Sequence, residues 1–223
     1  ENLHLALNFY RAAWERNPDQ DRGYGGINAA FILQLLAARV QLAANRSQTP
    51  SPEADRLNAE TDDLRRAIIA HLSTRLADDT ALGQDYWLLV TLAEAYFGLG
   101  DYDQAGEWLA KAKALKTAEW ERQTTVRQLV AIARLQGQEP PPETSDPAGW
   151  PAPWQPLRRL LGEDAGPALS CYRGKVGLAL SGGGFRASLY HLGVLARLAE
   201  MDVLRSVEVL STVSGGSLVG AQY

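Results

Sequence analysis

A serine with small neighbours stands where a short apolar run gives way to a helical pattern. Ser214 follows the run of residues 207–210 (Val-Glu-Val-Leu), and Thr212, Gly215 and Gly216 surround it. A nucleophilic serine on a strand-to-helix turn needs such neighbours, because the backbone there bends sharply and bulky side chains would clash. A helix that begins at the serine also stabilises negative charge on a bound substrate. The pattern therefore predicts that Ser214 is the nucleophile of an acyl-transfer reaction.

A glycine loop earlier in the chain supplies the complementary group. Gly182, Gly183 and Gly184 follow the apolar run of residues 176–180 (Val-Gly-Leu-Ala-Leu) and precede a helical pattern. An acyl-transfer transition state needs hydrogen-bond donors that point at its oxyanion, and the backbone N–H groups of glycines approach it without side chains in the way. Losing one such donor typically raises the barrier by about 3 to 4 kcal/mol. We therefore expect these three glycines to form an oxyanion hole for Ser214.

The same loop also fits a weaker pattern, the dinucleotide fingerprint Gly-x-Gly-x-x-Ala, through Gly182, Gly184 and Ala187. A dinucleotide fold also needs an acidic residue at the end of the next strand, where it holds the ribose hydroxyls. That position falls in residues 211–214 (Ser-Thr-Val-Ser), which contain no acidic residue. Nucleotide binding therefore fits this loop less well than acyl transfer does, and it is kept as an alternative. Saturable binding of ATP or NAD that Gly184→Val abolishes would support it.

The elements that must position these groups alternate between strand and helix. From residue 175 onward the order is strand, glycine loop, helix, strand, tight turn and helix, which is a βαβα unit of an α/β sheet. The apolar run of residues 176–180 is typical of a buried parallel strand. The predicted fold class is multidomain, with an all-α helical-repeat domain followed by the first βαβα of an α/β hydrolase domain.

The paired motifs of residues 174–223 resemble those of the patatin-like phospholipases. That family combines a Gly-Gly-Gly-x-Arg loop with a Gly-x-Ser-x-Gly elbow; here Arg186 completes the loop, and Thr212 replaces the first elbow glycine. The resemblance implies a lipid acyl hydrolase that cleaves ester bonds of membrane lipids through Ser214, with neither a metal nor an organic cofactor. It also implies that Gly183 and Gly184 are the main oxyanion donors, and that Arg186 orients the loop or binds a lipid phosphate.

Members of this family pair the serine with an aspartate and use no catalytic histidine. By that resemblance we expect His191 to be a packed or surface residue, and the dyad aspartate to lie in an Asp-Gly pair beyond Tyr223. Asp202 precedes the nucleophile near the end of a helix, so we do not assign it this role. Without the dyad aspartate we expect the chain to be inactive by itself. The alternative function is a helical-repeat interaction or scaffold protein with a non-functional hydrolase remnant.

Residues 1–136 show the three- and four-residue apolar spacing of consecutive helices. The clearest stretch matches the two-helix tetratricopeptide pattern, with Gly100 at the turn and Thr117 in place of the closing proline. The region is also similar to the helical regulatory domain of stress-activated MAP kinase kinase kinases, through residues 25–30 (Gly-Gly-Ile-Asn-Ala-Ala), 85–87 (Asp-Tyr-Trp) and 92–94 (Leu-Ala-Glu). We expect this region to bind a partner protein or another copy of itself. The tetratricopeptide positions are Ala93, Tyr96, Gly100, Tyr102, Ala105, Leu109 and Ala112.

Residues 137–156 are rich in proline, which is excluded from helix interiors and central strands. We therefore expect a stiff, extended linker, with Trp150 and Trp154 fixing it to one domain. The predicted domains are a tetratricopeptide-like helical domain at 1–136, the linker at 137–156, and the incomplete patatin-like domain at 157–223. The remaining tryptophans stand at helical spacing and are predicted to be core residues and not a ligand cage. They are Trp14, Trp87, Trp108 and Trp120.

The composition narrows the partners and the location. A formal net charge of −4, from 22 Lys and Arg against 26 Asp and Glu, gives no reason to expect nucleic acid as a partner. No stretch approaches the roughly 18 to 20 apolar residues that span a bilayer, and residues 1–4 lack the features of a signal peptide. The single cysteine, Cys171, suits a reducing compartment. We expect a cytoplasmic protein that is peripheral at membranes. Arg65 and Arg66 are predicted to lie on a solvated helix face.

Overall fold

The computed structural model describes residues 2–142, 145–173, 176–201, 203–204 and 207–222. The chain divides into two compact units, Glu1–Tyr172 and Arg173–Tyr223. The first unit is helical and the second contains a parallel two-stranded sheet. The predicted order, with a helical domain before a strand-containing one, is confirmed at this level. Asp202, which was not assigned the role of base, lies outside the described residues.

Several helices of the first unit begin at residues whose side chains cap them. The Ser51 side chain accepts a hydrogen bond from a first-turn N–H at 3.3 Å, and Pro52 fills the first position of α4, where no N–H is needed. Gly100, with φ +82°, makes the turn between α5 and α6, and Asp101 caps α6. The helices are α1 (Asn2–Arg16), α2 (Pro18–Asp21), α3 (Tyr24–Ser47), α4 (Pro52–Asp78), α5 (Tyr86–Gly98), α6 (Tyr102–Lys113), α7 (Glu119–Leu135), α8 (Trp154–Leu161) and α9 (Ala165–Ser170).

Consecutive helices of the first unit pack as pairs. Helix α3 packs against both α1 and α4, and α5 packs against α6. In the α5–α6 pair, the small residues of the predicted tetratricopeptide stretch are fully buried, namely Ala93, Ala105 and Ala112. Small residues let the two helices approach closely. The pairing follows the prediction, and the type of repeat stays a prediction.

The proline-rich segment and the residues after it are part of the helical core. Trp150 and Trp154 are buried in the same cluster as Leu109, and α8 packs against α6. The first unit continues to Tyr172, so residues 157–172 lie in it and the observed division falls later than the predicted one. The prolines end the regular helices, but the two indoles supply enough apolar surface to hold the segment in the core.

The remaining tryptophans divide between core and surface. Trp14 is buried, and Trp108 packs against the core with Lys111 Nζ 3.8 Å from the centre of its ring. Trp87 and Trp120 are 40% and 61% exposed, and their ring centroids lie 5.9 Å apart. The prediction that all four are core residues is therefore wrong for Trp87 and Trp120, because helical spacing does not reveal which face of a helix its neighbours cover.

Helix α3 bears on the prediction about membrane-spanning segments, because it is 24 residues long and apolar. By length and composition alone, Tyr24–Ser47 could cross a membrane. In the first unit this helix packs against α1 and α4, and almost half of its apolar stretch is buried. A core helix of a globular domain has the same composition. The prediction that no stretch is long enough to span a bilayer is thus corrected.

Arg65 of α4 lies in the core of the first unit with only 1% of its surface exposed. Its Nη2 donates to Gln34 Oε1 at 2.6 Å, and its Nη1 donates to the Gly98 carbonyl at 3.2 Å. These bonds offset part of the cost of burying a charge. The predicted solvated face holds for Arg66, which pairs with Asp63 at 2.9 Å, and is wrong for Arg65.

Glu94 of α5 is a partly buried carboxyl group that interacts with the charge of Arg65. Gln128 Nε2 donates to Glu94 Oε1 at 3.1 Å. Burial raises the pKa of Glu94 to about 7, and the Gln128 hydrogen bond and the Arg65 charge oppose this only in part. The folded protein therefore binds the Glu94 proton more tightly than an unfolded chain does.

This difference makes the first unit less stable as the pH rises. Below about pH 4.3, the pKa of a glutamate in the unfolded chain, Glu94 is protonated in both states and does not lower the free energy of unfolding. Above the pKa of Glu94 in the folded protein, its ionisation lowers that free energy by the full amount. We expect the free energy of unfolding to be lower by about 2 kcal/mol at pH 8 than at pH 5.5 through Glu94 alone. Urea denaturation of the protein and of Glu94→Gln, followed by tryptophan fluorescence, isolates this contribution. An identical pH dependence in both proteins would contradict it.

The second unit is a short β-α-β-α segment. Its elements are β1 (Val176–Leu180), α10 (Gly184–Glu200), β2 (Val207–Thr212) and α11 (Gly215–Gly220). The strands pair in parallel, with Ala179 opposite Ser211 and Leu180 opposite Thr212. Parallel neighbours need a crossover connection, which α10 provides. Because both strands end at the same edge of the sheet, the loop after β1 and the turn after β2 lie side by side.

Candidate functional site

Ser214 adopts a strained backbone conformation between β2 and α11, with φ +52° and ψ −122°. Two other described residues that are not glycine have a positive φ, Arg22 and Gln48, and both are left-handed caps at helix ends. The ψ of Ser214 lies outside that left-handed region. Such a conformation costs on the order of 1 to 3 kcal/mol and is concentrated at functional sites. It is the conformation expected of a serine on a sharp strand-to-helix turn.

The two glycines after the serine are required by the neighbouring loop. A Cβ atom at Gly216 would overlap the carbonyl groups of Leu180 and Ser181, and one at Gly215 would overlap the carbonyl group of Gly184. These obstacles are backbone atoms, which cannot rotate away as a side chain can. The small residues noted in the sequence are therefore a condition for the turn to approach the loop.

Thr212, which stands where the elbow motif has its first glycine, is accommodated by a glycine on the next helix. Thr212 is the last residue of β2 and pairs with Leu180. Its methyl group lies against α11, where a Cβ atom at Gly220 would overlap it. The departure from the motif is thus compatible with the observed turn.

The glycine loop lies directly against the serine. A Cβ atom at Gly182 would be 3.2 Å from Ser214 Cβ and 3.6 Å from the carbonyl oxygen of Val213. Gly183 and Gly184 have φ values of +141° and +63°, which other residues rarely adopt. The structure therefore brings the predicted nucleophile and the predicted oxyanion loop together.

Helix α10 begins at Gly184 without a side-chain cap. The first N–H groups of a helix have no partner within it, so those that begin α10 are available as hydrogen-bond donors. The helix dipole adds positive potential at the same end. Donors and potential of this kind favour negative charge that develops beside Ser214.

Two buried side chains of α10 hold the loop and the turn in place. Ser188 Oγ donates to the Gly215 carbonyl at 2.8 Å and lies 3.3 Å from the Gly184 carbonyl. His191 Nε2 donates to the Ser181 carbonyl at 2.9 Å. The burial of His191 agrees with its expected packing role. Ser188 was not singled out in the sequence, where its only signal is its position one helical turn after Gly184.

Two predicted groups of the site have no hydrogen-bond partner among the described residues. Arg186 is exposed on the first turn of α10 and has no hydrogen bond or ion pair with another described residue. The Ser214 hydroxyl likewise has no hydrogen-bond partner among the residues that the structure describes. Within the same residues, no group of three or more His, Cys, Asp or Glu side chains could hold a metal ion.

The chain was compared with known protein families, with curated proteins and with solved structures. None of the three comparisons finds a match.

Proposed function

We propose that the second unit carries the nucleophile and oxyanion loop of a serine acyl hydrolase of the patatin-like type. The observation that supports this most directly is the strained conformation of Ser214, with φ +52° and ψ −122°, beside the glycine loop. A strained serine with a row of glycine N–H groups next to it suits acyl transfer. A purely structural turn would gain nothing from this strained conformation, because the strain lowers the stability of the fold.

In the proposed reaction, Ser214 Oγ attacks the carbonyl carbon of an ester. A general base takes the hydroxyl proton, and in the patatin-like family this base is an aspartate. The carbonyl oxygen becomes an oxyanion, which the N–H groups of Gly183 and Gly184 stabilise. The intermediate collapses as the protonated base gives its proton to the leaving oxygen, which releases the alcohol and leaves an acyl-serine. Water, activated by the same base, then releases the fatty acid and restores the hydroxyl.

The proposed substrates are membrane lipids with ester-linked acyl chains, taken up at a lipid surface in the cytoplasm. Arg186 is exposed on the first turn of α10, the helix that begins in the loop. A guanidinium group there suits a phosphate of the lipid head group, which it can bind through two parallel hydrogen bonds. Neither a metal nor an organic cofactor enters the proposed reaction.

Nucleotide binding is the weaker alternative for the same loop. The glycine loop faces Ser214 of the next turn, and that position holds the ribose-binding acidic residue in a dinucleotide fold. A hydroxyl does not replace a carboxylate there. Saturable ATP or NAD binding that Gly184→Val abolishes would favour this alternative over the hydrolase.

The proposal is tested by covalent labelling of the protein purified from cells that produce it. A fluorophosphonate probe reacts with a serine only when its hydroxyl is activated, and fragment mass spectrometry locates the modified residue. We expect the added mass on Ser214 and on no other serine. Absence of label, in a sample where an added serine hydrolase is labelled, would remove the proposal.

Gly216→Ala should slow labelling of Ser214 by about 100-fold, because its Cβ atom would push the turn away from the carbonyl groups at the end of β1. A displacement of the nucleophile by about 1 Å has an effect of this size. Gly193→Ala is the matched control, since Gly193 lies within α10 and a Cβ atom there meets open space. Equal labelling rates in the two variants would show that the turn does not depend on Gly216.

A second candidate function is self-association of the helical unit. Helix α1 exposes two large apolar side chains four residues apart, Leu5 and Phe9, and Phe9 is 72% exposed. Residues at this spacing share one helix face, and exposed apolar faces mark interaction sites. Sedimentation equilibrium of the protein and of Phe9→Ser tests this, with a lower mean mass expected for the variant. Equal masses would argue against this face.

A further inference from the structure

The helical unit contains a cavity of about 600 Å³ between α3, α5 and α7. This volume is within the range of sites that hold small organic molecules. The three short segments that resemble the kinase regulatory domain contribute to its wall, through Ile27 and Asn28 of α3 and through Trp87 and Glu94 of α5. The cavity lies wholly in the first unit, so a ligand bound there is independent of the function proposed for Ser214.

Two indole rings stand on the wall of this cavity. Trp87 and Trp120 also form the partly exposed pair with a ring separation of 5.9 Å and an interplanar angle of 39°. Tyr24 adds a third exposed aromatic ring. Large aromatic side chains usually gain stability by burial, and these three remain open to solvent. The faces of such rings attract organic cations, most strongly when a site is shielded from water.

A carboxyl group lines the same cavity. Glu94 is largely buried but keeps part of its surface accessible. Gln128 Nε2 donates a hydrogen bond to Glu94 Oε1, and no other described residue donates to this carboxyl group. Glu94 Oε2 is therefore available to a ligand. Arg65 does not neutralise it by direct contact, because its two terminal nitrogens donate to Gln34 and to the Gly98 carbonyl.

The other charged groups on the wall already have partners. Arg22 and Asp85 form an ion pair at 3.0 Å, and their charges cancel. The backbone N–H of Gly25 donates to the Asp21 carboxylate, at 2.9 Å from Oδ1 and 2.8 Å from Oδ2. The Asp21 side chain thus stabilises the first turn of α3. Among the described residues of this wall, Glu94 is therefore the carboxyl group with an oxygen atom that accepts no hydrogen bond. The wall carries more acidic than basic groups, which favours a cation as the ligand.

We propose that this cavity binds an organic ammonium ion with an apolar body. The ammonium group donates to Glu94 Oε2, and the apolar body lies against the indole rings of Trp87 and Trp120. The negative carboxylate attracts the positive group directly, and the indole rings pack against the apolar body and add a weaker attraction for the nearby cation. A neutral ligand of the same shape would gain only the apolar contacts, and an anion would be repelled.

The site also predicts that affinity increases with pH. Burial raises the pKa of Glu94 to about 7, so its carboxyl group is mostly protonated at pH 6 and mostly ionised at pH 8. Because the cation binds the ionised form, affinity should be about tenfold weaker at pH 6 than at pH 8. The wall also carries Asp21, Arg22, Tyr24 and Asp85, and Arg65 acts on Glu94 from α4. A raised pKa, due first to the hydrogen bond with Tyr10, keeps Tyr24 neutral in this range.

The test uses the whole chain and three probes of similar shape. They are 2-phenylethylammonium, neutral 2-phenylethanol and anionic 3-phenylpropanoate, and calorimetric titration measures each dissociation constant at pH 6 and pH 8. We expect the ammonium ion to bind at least about tenfold more tightly than the alcohol at pH 8, and the carboxylate not to bind. Equal affinities for the ammonium ion and the alcohol, or no binding of either, would overturn the proposal.

Two variants assign the binding to this cavity. Glu94→Gln keeps the shape of the side chain and should bring the ammonium ion to the affinity of the alcohol and remove the pH dependence. Glu107→Gln is the matched control, because Glu107 is an exposed carboxyl group of α6 that does not line the cavity. Trp120→Leu should weaken binding by about two- to fivefold. Equal effects of Glu94→Gln and Glu107→Gln would place the binding elsewhere and overturn the proposal.

Discussion

In the protein purified from cells that produce it, Ser214→Ala is expected to lower kcat for hydrolysis of 4-nitrophenyl butyrate by about six orders of magnitude, and to abolish uptake of the fluorophosphonate probe. The reason is that the reaction depends on one oxygen atom, and neither the glycine loop nor the helix dipole can replace a nucleophile. These groups stabilise the oxyanion, so a residual rate above that in water should remain. Hydrolysis followed by absorbance, at equal protein concentrations, measures the difference.

The matched control is Ser211→Ala. Ser211 is an exposed serine at the end of β2, three residues earlier, and it has ordinary strand pairing with Ala179. Its removal should leave both hydrolysis and labelling unchanged. If Ser211→Ala and Ser214→Ala behave alike, the strained backbone at Ser214 has no catalytic meaning, and the interaction function becomes the better account of this protein.

Ser214→Gly separates strain from chemistry. Glycine adopts a positive φ without the steric cost that serine carries, so this variant should stabilise the second unit by about 1 kcal/mol while losing activity. Ser214→Ala keeps the strain and should leave stability unchanged. Hydrogen exchange of the β1 and β2 amides compares the three proteins. A glycine variant no more stable than the alanine variant would show that Ser214 is not strained.

Trp154→Ala is expected to lower the free energy of unfolding of the helical unit by about 3 to 5 kcal/mol. The Trp154 side chain is fully buried and is among the largest that the first unit encloses, so its removal leaves a cavity that the neighbouring helices cannot fill. Urea denaturation followed by far-ultraviolet circular dichroism measures the loss, because the first unit supplies most of the helix.

Trp120→Ala is the control for this variant. Trp120 has the same side chain but is 61% exposed, so its removal should change stability by less than about 1 kcal/mol. The comparison decides between two descriptions of residues 137–156. In an extended linker, both replacements would cost little. In a core segment, only Trp154→Ala is costly.

The sequence by itself determined the local geometry of the candidate site. The glycines at 182–184 and at 215–216, beside the serine at 214, allow two backbone segments to approach closely. The short apolar run before each glycine segment indicates a parallel strand. The steric limits within each glycine segment depend on residues close together in the chain and are the same in any fold, whereas the pairing of β1 with β2 brings the two segments side by side. The helical character of the first 136 residues followed from apolar spacing for the same reason.

Only the tertiary structure decided which faces of the helices are covered. Trp87 and Trp120 have the helical spacing of core residues, yet they line a cavity because α3, α5 and α7 leave that face open. Trp154 has the surroundings of a linker residue, yet α6 and α8 enclose it. Burial depends on segments that are far apart in the chain, and a pattern of neighbours contains no information on them.

The same limit explains the buried charges and the supports of the serine. Arg65 stands next to Arg66 in a charged stretch, but only the packing of α3, α4 and α5 places Gln34 and the Gly98 carbonyl within reach of its guanidinium group. Ser188 became a support of the turn because the crossover helix α10 returns alongside α11. Residue types and spacing thus determined what chemistry the chain could perform, and the packing of distant segments decided which groups meet.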